Sequence, residues 1–138
     1  MIFFTPFIIL FFTEVLKVII KSIKNKKLQL KWFLHAGGMP SGHSSFTASI
    51  ATLATYIKGF NSIEFLIASG FALLIMYDAR GVRATVGKHA KLINSLYKEY
   101  HLDESIGHTN LQVFIGACIG IGLTIICIKV FGYLGFQI

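Results

Sequence analysis

The stretch Gly37-Gly38-Met39-Pro40-Ser41-Gly42-His43 decides how this chain is read. Glycines and a proline make a tight turn, and Ser44 to Ile57, rich in Ser, Thr and Ala, carries no charge. The turn therefore opens a helix. Pro40 suits a first helical position, and Ser41, Gly42 and His43 then fall in the first turn, where backbone N–H groups lack intrahelical partners. Such a turn binds anions. Gly37, Gly38 and Gly42 would let the backbone approach a phosphate closely, and the Ser41 hydroxyl adds a donor. The same residues also suit a capped helix entry in which the glycines serve only the turn. A second Gly-His pair, Gly107-His108, stands before another apolar run.

Outward from that turn the chain is strongly apolar. Of its 138 residues 54% are hydrophobic, and the mean hydropathy is +0.69, too high for a soluble domain of this size. The expected fold class is all-α: an integral membrane helical bundle of about four transmembrane helices plus one amphipathic interfacial helix, in a single membrane domain over 1–138. The spans are Ile2 to about Ile20, Ser41 to about Lys58, Ser62 to Tyr77, and Leu111 to about Leu134, the last of these exceeding the roughly 20 residues a bilayer needs. Arg83 to Tyr100 has helical periodicity, with Val82, Val86, Ala90, Ile93 and Tyr97 on one side and Lys88, Lys91 and Lys98 in the segment, so it should lie along the interface. The N-terminal run lacks a positive n-region and a small-residue cleavage site, and is read as a retained span. Cys118 and Cys127 are about 13 Å apart along one helix and cannot bridge within it.

Four crossings put Lys21 to Met39 and Asp78 to Asn110 on one side of the membrane. Ten of the thirteen Lys and Arg residues lie there: Lys21, Lys24, Lys26, Lys27, Lys31, Arg80, Arg83, Lys88, Lys91 and Lys98. By the positive-inside rule that side is cytoplasmic, and His43 and His108 share it. The net charge of +7 then reads as membrane orientation and attraction to anionic headgroups, not nucleic-acid binding.

Two histidines on one membrane face suit phosphate chemistry. Thr109 or Asn110 could cap the helix after His108, whose positive end would keep the imidazole neutral and nucleophilic. Cations to hold a phosphate are at hand in Lys17, Arg80, Arg83 and Lys88, with the forked guanidinium of Arg83 the preferred clamp. Lys91, Lys98 and the first-loop lysines read as solvated or touching headgroups. Glu14 and Lys17, three apart inside an apolar span, would pair or face a polar cavity. Asp78, among arginines, could form an ion pair or orient a histidine. His35, His89 and His101 have no ligand spacing with one another, so neither a metal nor another cofactor is assigned. Gly116 and Gly120, supported by Gly122, and the stripe Ala48, Ala51, Thr52 and Thr55 are packing surfaces that would bring the second and last helices together, although a homo-oligomer contact is equally compatible with the glycines.

With those residues in place, the chain resembles the divergent branch of the type 2 phosphatidic acid phosphatase superfamily, also described as acid phosphatase and vanadium-dependent haloperoxidase related. Pro40-Ser41-Gly42-His43 matches the superfamily's central motif. The string from Gly37 to Ser45, Tyr77-Asp78-Ala79-Arg80-Gly81-Val82-Arg83, and Gly107-His108 followed by Val113 and Gly116 look like the divergent branch. The resemblance implies His108 as the nucleophile that forms a phosphohistidine, His43 as the general acid, Lys17 as the first-motif lysine, and Ser41, Gly42 and Arg83 as phosphate contacts. The chain departs from the pattern at three places: the first motif's Arg-Pro is missing, Leu102 stands where the last motif has arginine, and Gln112 stands where a carboxylate partner of the nucleophile is expected. Asp78 could take that carboxylate's role, and the Gln112 carbonyl oxygen can still accept from a ring nitrogen.

The reading that follows is a membrane phosphatase acting on a lipid-linked phosphate or pyrophosphate at the cytoplasmic interface. Its alternative is a noncatalytic member that binds or moves a phosphorylated lipid.

Overall fold

The computed structural model describes residues 2–28, 30, 33, 37–104 and 106–135; Lys31 and His35 lie outside the described residues. Among these every regular element is a helix. A short 3-10 turn, Ile2–Phe4, leads into α1 (Thr5–Asn25), followed by α2 (Gly42–Lys58), α3 (Ile63–Arg80), α4 (Val82–Leu96) and α5 (Asn110–Tyr133). The runs Ile2–Asn25, Ile63–Leu96 and Asn110–Tyr133 are long and apolar enough to cross a bilayer.

α2, 17 residues long, is not among these runs and stands at the centre of the bundle. It packs against α1, α3 and α5 and so faces neighbouring helices more than lipid. That placement explains its composition, because helix association in a bilayer depends on small residues and close packing rather than on hydrophobic transfer. Ser41, Ser44, Ser45 and Ser49 are fully buried, while Phe3, Phe4, Phe7 and Leu74 are exposed on the outside. The core is small and polar and the surface is greasy.

The α2–α5 contact is the tightest in the bundle. A Cβ added at Gly116 would come within 2.5 Å of the Ser41 carbonyl oxygen, and one at Gly120 would overlap the Ser45 backbone. Thr124 Oγ1 then donates to Ser49 Oγ at 2.7 Å. The Gly116–Gly120 step therefore serves packing within the chain. Two details differ from the sequence reading. Gly122 faces open space and supports nothing. The α2 face that meets these glycines is the serine face, whereas Ala48, Ala51, Thr52 and Thr55 line a cavity shared with α3 and α5.

Helix boundaries also moved, each for a local reason. Ser41 is the N-cap of α2, its Oγ accepting from the Ser44 N–H, so Pro40 stands two residues before the helix and not at its first position. α1 continues past Ile20 to Asn25, which carries Lys21 and Lys24 on the helix instead of a loop. α4 stops at Leu96, not Tyr100, because Tyr97 is extended and the chain folds back. Asn94 holds that return: its side chain donates to the Leu102 carbonyl at 2.8 Å and accepts from the Leu102 N–H at 3.0 Å. Val82, Val86 and Tyr97 on the apolar side of α4 remain exposed, and only Ala90 of the expected set is buried.

Candidate functional site

The N-termini of α2 and α5 and the C-terminus of α3 meet at one end of the bundle, and backbone hydrogen bonds fasten them. Ser41 N–H donates to the Gln112 carbonyl at 3.3 Å, and His108 N–H donates to the Ala79 carbonyl at 2.9 Å. Gly37 and Gly107 pair in a single parallel bridge. Gly107 has φ +97°, and any Cβ there would run into the backbone of Ala84, so both its conformation and its neighbour demand glycine. That residue sets the next one, His108, against the end of α3.

These ties bring His43 and His108 together. Their ring centroids are 6.5 Å apart with the planes at 80°. The two environments differ sharply: His43 is exposed, whereas His108 is 5% exposed and neither of its ring nitrogens has a hydrogen-bond partner among the described residues. Burial first, then the positive charges of Lys17, His43 and Arg83, hold the His108 imidazole down at about 4. It is therefore neutral at physiological pH, with a lone pair available on one nitrogen.

This depression has a measurable consequence. In ring-15N-labelled protein, the His108 signals should keep their neutral-imidazole positions as pH falls through 6 and change only near 4. Because the folded value lies below the unfolded one, the unfolded chain takes up the proton first, so the His108 contribution weakens stability progressively as pH drops from about 6.5 to about 4. A His108 ring titrating at 6 or above would contradict the buried, cation-facing environment.

The cations are arranged differently from the expectation. Lys17 is 2% exposed, and its Nζ donates to both Glu14 carboxylate oxygens at 2.7 and 2.9 Å, which resolves those two residues as a pair. Glu14 in turn lies against Gly42, where its Oε1 fills the space a Cβ would need. The close approach that Gly42 was expected to offer a phosphate is thus taken by a carboxylate, which the positive end of α2 favours. Ser41 is fully buried, and its Oγ accepts from both the Ser44 N–H and the Ser44 hydroxyl.

At the other side of the histidines, Arg83 Nε donates to Asp78 Oδ2 at 2.6 Å, with both side chains about one-third exposed. Asp78 is engaged as an ion pair with Arg83, which fixes the guanidinium near the imidazoles. Arg80 stands 5.8 Å over the ring of the exposed Tyr77, a cation–π contact on the outer surface, and is not gathered with the others. Gln112 does not serve the His108 ring. Its Oε1 accepts from the Thr109 N–H at 2.9 Å while the Thr109 hydroxyl accepts from the Gln112 N–H, closing a capping box at the start of α5.

A cleft of about 370 Å3 opens beside His108, lined by Lys21, Lys88, Lys91, Glu104, Thr109 and Gln112 among others. Lys88 is a phosphate-holding candidate of the sequence reading, which leaves Lys21 and Lys91 solvated or touching headgroups and gives Glu104 no role. The signal for the two lysines was available in their spacing. Lys21 follows Lys17 by one helical turn, and Lys91 follows Lys88 by three positions, so each pair shares a helix face.

The residues that build this end of the bundle all fall within a match to a family model described as the divergent PAP2 family, which covers residues 1–123. The chain is also 33% identical over 135 residues to the "Uncharacterized membrane protein YuiD" of Bacillus subtilis (strain 168), a match covering 83% of this chain and 85% of the relative. No solved structure matches the chain. With the match running through the α2 entry, the α3–α4 junction and the Gly107-His108 turn, the chain belongs to the divergent PAP2 family.

Proposed function

We propose that the protein is a membrane phosphatase that cleaves a phosphate or pyrophosphate ester of a lipid through a phosphohistidine on His108, at the cytoplasmic face. The observation that carries this reading is the histidine pair: a buried, neutral imidazole with unpartnered nitrogens, 6.5 Å from an exposed second imidazole, beside a lysine-lined cleft. The gap between the rings suits a phosphoryl group, with nucleophile and leaving oxygen in line across phosphorus.

In the first step the His108 lone pair forms a bond to phosphorus as the ester P–O bond breaks, and protonated His43 delivers its proton to the departing oxygen. In the second, His43 takes a proton from water as that oxygen attacks phosphorus, the P–N bond breaks, and inorganic phosphate leaves. Lys21, Lys88, Lys91 and Arg83 offset the charge on the phosphoryl oxygens. The cytoplasmic assignment is supported by the ten cationic residues gathered on the histidine side.

Purified protein should release phosphate from at least one member of a panel of phosphatidate, phosphatidylglycerophosphate and polyprenyl phosphates or pyrophosphates, and acid-labile label should appear on the protein during turnover. Absence of both across the panel would reject the phosphatase reading.

One observation favours a noncatalytic, lipid-phosphate-binding role: no carboxylate contacts the His108 ring among the described residues, and the Gln112 side chain is committed to the cap. Gln112→Glu separates the two. A glutamate fits the same capping box and is favoured at a helix N-terminus, so the fold is retained while a negative charge comes near the imidazole. For an active enzyme turnover should rise several-fold or hold. Phosphate release seen only in Gln112→Glu, with the unaltered protein binding lipid phosphate without turnover, would assign the binding role.

A further inference from the structure

A second cavity lies away from the histidines. It is a groove of about 700 Å3 with α2 as its floor and α3 and α5 as its walls. Ala48 and Ala51 line the floor, Leu73 and Met76 one wall, Ile121 and Ile125 the other. The threonines in the floor add no polarity, because Thr52 and Thr55 turn their hydroxyls onto the carbonyls of Ala48 and Ala51 at 2.8 and 2.9 Å and present methyl groups instead. Toward the histidines, the hydrogen bond from His108 to Ala79 joins α3 to the start of α5. At the far end stand Tyr56, Phe60 and Lys129.

We propose that this groove holds one hydrocarbon chain of an anionic membrane lipid from the leaflet opposite the histidine cleft, with the headgroup beside Lys129. Size selects the occupant. From Ala117 to Lys129, both on the lining, the groove runs about 18 Å at 1.5 Å per residue, close to the roughly 15 Å of one leaflet's hydrocarbon. An alkyl chain entering from one leaflet matches that length, whereas a transmembrane helix from a second copy spans roughly 30 Å of hydrocarbon and would run well past the groove. Leaving the groove unfilled would forfeit the dispersion contacts of its whole lining.

Charge selects the headgroup. The other lysine near that end, Lys58, faces Glu64 at 3.8 Å, while Lys129 is exposed at the rim of the groove. One lysine near the headgroups favours an anionic lipid by about fivefold.

The test uses the full chain, released from detergent in native mass spectrometry after incubation with phosphatidylglycerol or phosphatidylcholine. One phospholipid should stay bound, with phosphatidylglycerol preferred about fivefold. Ala51→Phe and Ala117→Phe, which fill the groove from floor and wall, should each cut retention by at least tenfold, while Lys129→Ala should keep the lipid and lose the headgroup preference. A second measurement does not depend on the filled variants folding. In a Trp32→Phe background, fluorescence of Ile125→Trp should be quenched by chain-brominated phosphatidylglycerol to saturation at one lipid per protein, whereas Leu74→Trp, on the exposed side of α3, should follow the bulk lipid fraction. Equal retention in both filled variants, quenching at Ile125→Trp that tracks bulk lipid, or a lipid-free dimer would overturn the proposal.

Discussion

His108→Ala should abolish phosphate release while leaving the bundle folded. In the proposed reaction the imidazole forms the bond to phosphorus, and neither Gln112, held in the helix cap, nor Asp78, paired with Arg83, is placed to substitute. Loss of a covalent nucleophile costs at least about 10^4-fold in turnover. The stability effect should be much smaller, for a specific reason. Both His108 ring nitrogens are buried without a partner among the described residues, so removing the ring also removes two desolvated polar atoms, and this offsets much of the packing lost. The backbone bond from residue 108 to Ala79 does not depend on the side chain. A net change of about 1 kcal/mol or less is expected. His43→Ala, at an exposed ring, should likewise fold normally but lose the proton donor, with a larger deficit for lipid alcohols than for activated phenyl phosphates, whose leaving groups need no proton. Retained turnover in His108→Ala would exclude the phosphohistidine route, and a collapse of stability would mean that the ring is held by contacts the structure does not contain.

Much of this was legible before the structure, because the informative features were periodic or local. Long apolar runs announce helices in a bilayer, and the strong clustering of lysines announces which ends share a side. Given an even number of crossings between them, His43 and His108 had to reach the same end, and the 6.5 Å ring separation follows from that plus the glycine contact of α2 with α5. What the sequence left open was competition for each polar group. Ser41 could cap or contact a ligand, and it caps; Gln112 could serve a histidine or its own helix, and it serves the helix. Gly42 looked like an anion approach, yet the anion there is Glu14, 28 positions earlier in the chain. Local motifs do not reveal which long-range partner arrives first. The spacing of Lys21 from Lys17 and of Lys91 from Lys88 marks a shared helix face, but their place on the cleft depends on where α1 ends and how the chain returns over α4.

Gly120→Val should do to the fold what His108→Ala does to the chemistry. The added Cβ would meet the carbonyl oxygen, carbonyl carbon and Cα of Ser45, all backbone atoms inside α2, so no side-chain rotation can relieve the overlap. The helices must separate along the face that also carries Gly116 against Ser41, and separation breaks the Thr124–Ser49 hydrogen bond one turn further along. Overpacking of this kind costs about 3 kcal/mol, and a lost buried hydroxyl bond adds about 1 kcal/mol. Gly122→Val is the matched control. It lies two residues away on the same helix with nothing within 4 Å of the new Cβ, and it should change stability by no more than about 0.5 kcal/mol. Reversible unfolding in mixed micelles, followed by circular dichroism, reads both. The consequence for the site is also specific. Ser41 N–H reaches the Gln112 carbonyl across the same interface, so a wedge at Gly120 should widen the gap between His43 and His108 and depress turnover even where the variant remains folded. Paired spin labels at the starts of α2 and α5 would detect that widening. If Gly120→Val and Gly122→Val proved equally benign, close α2–α5 packing would not be what holds the two histidines at their working distance.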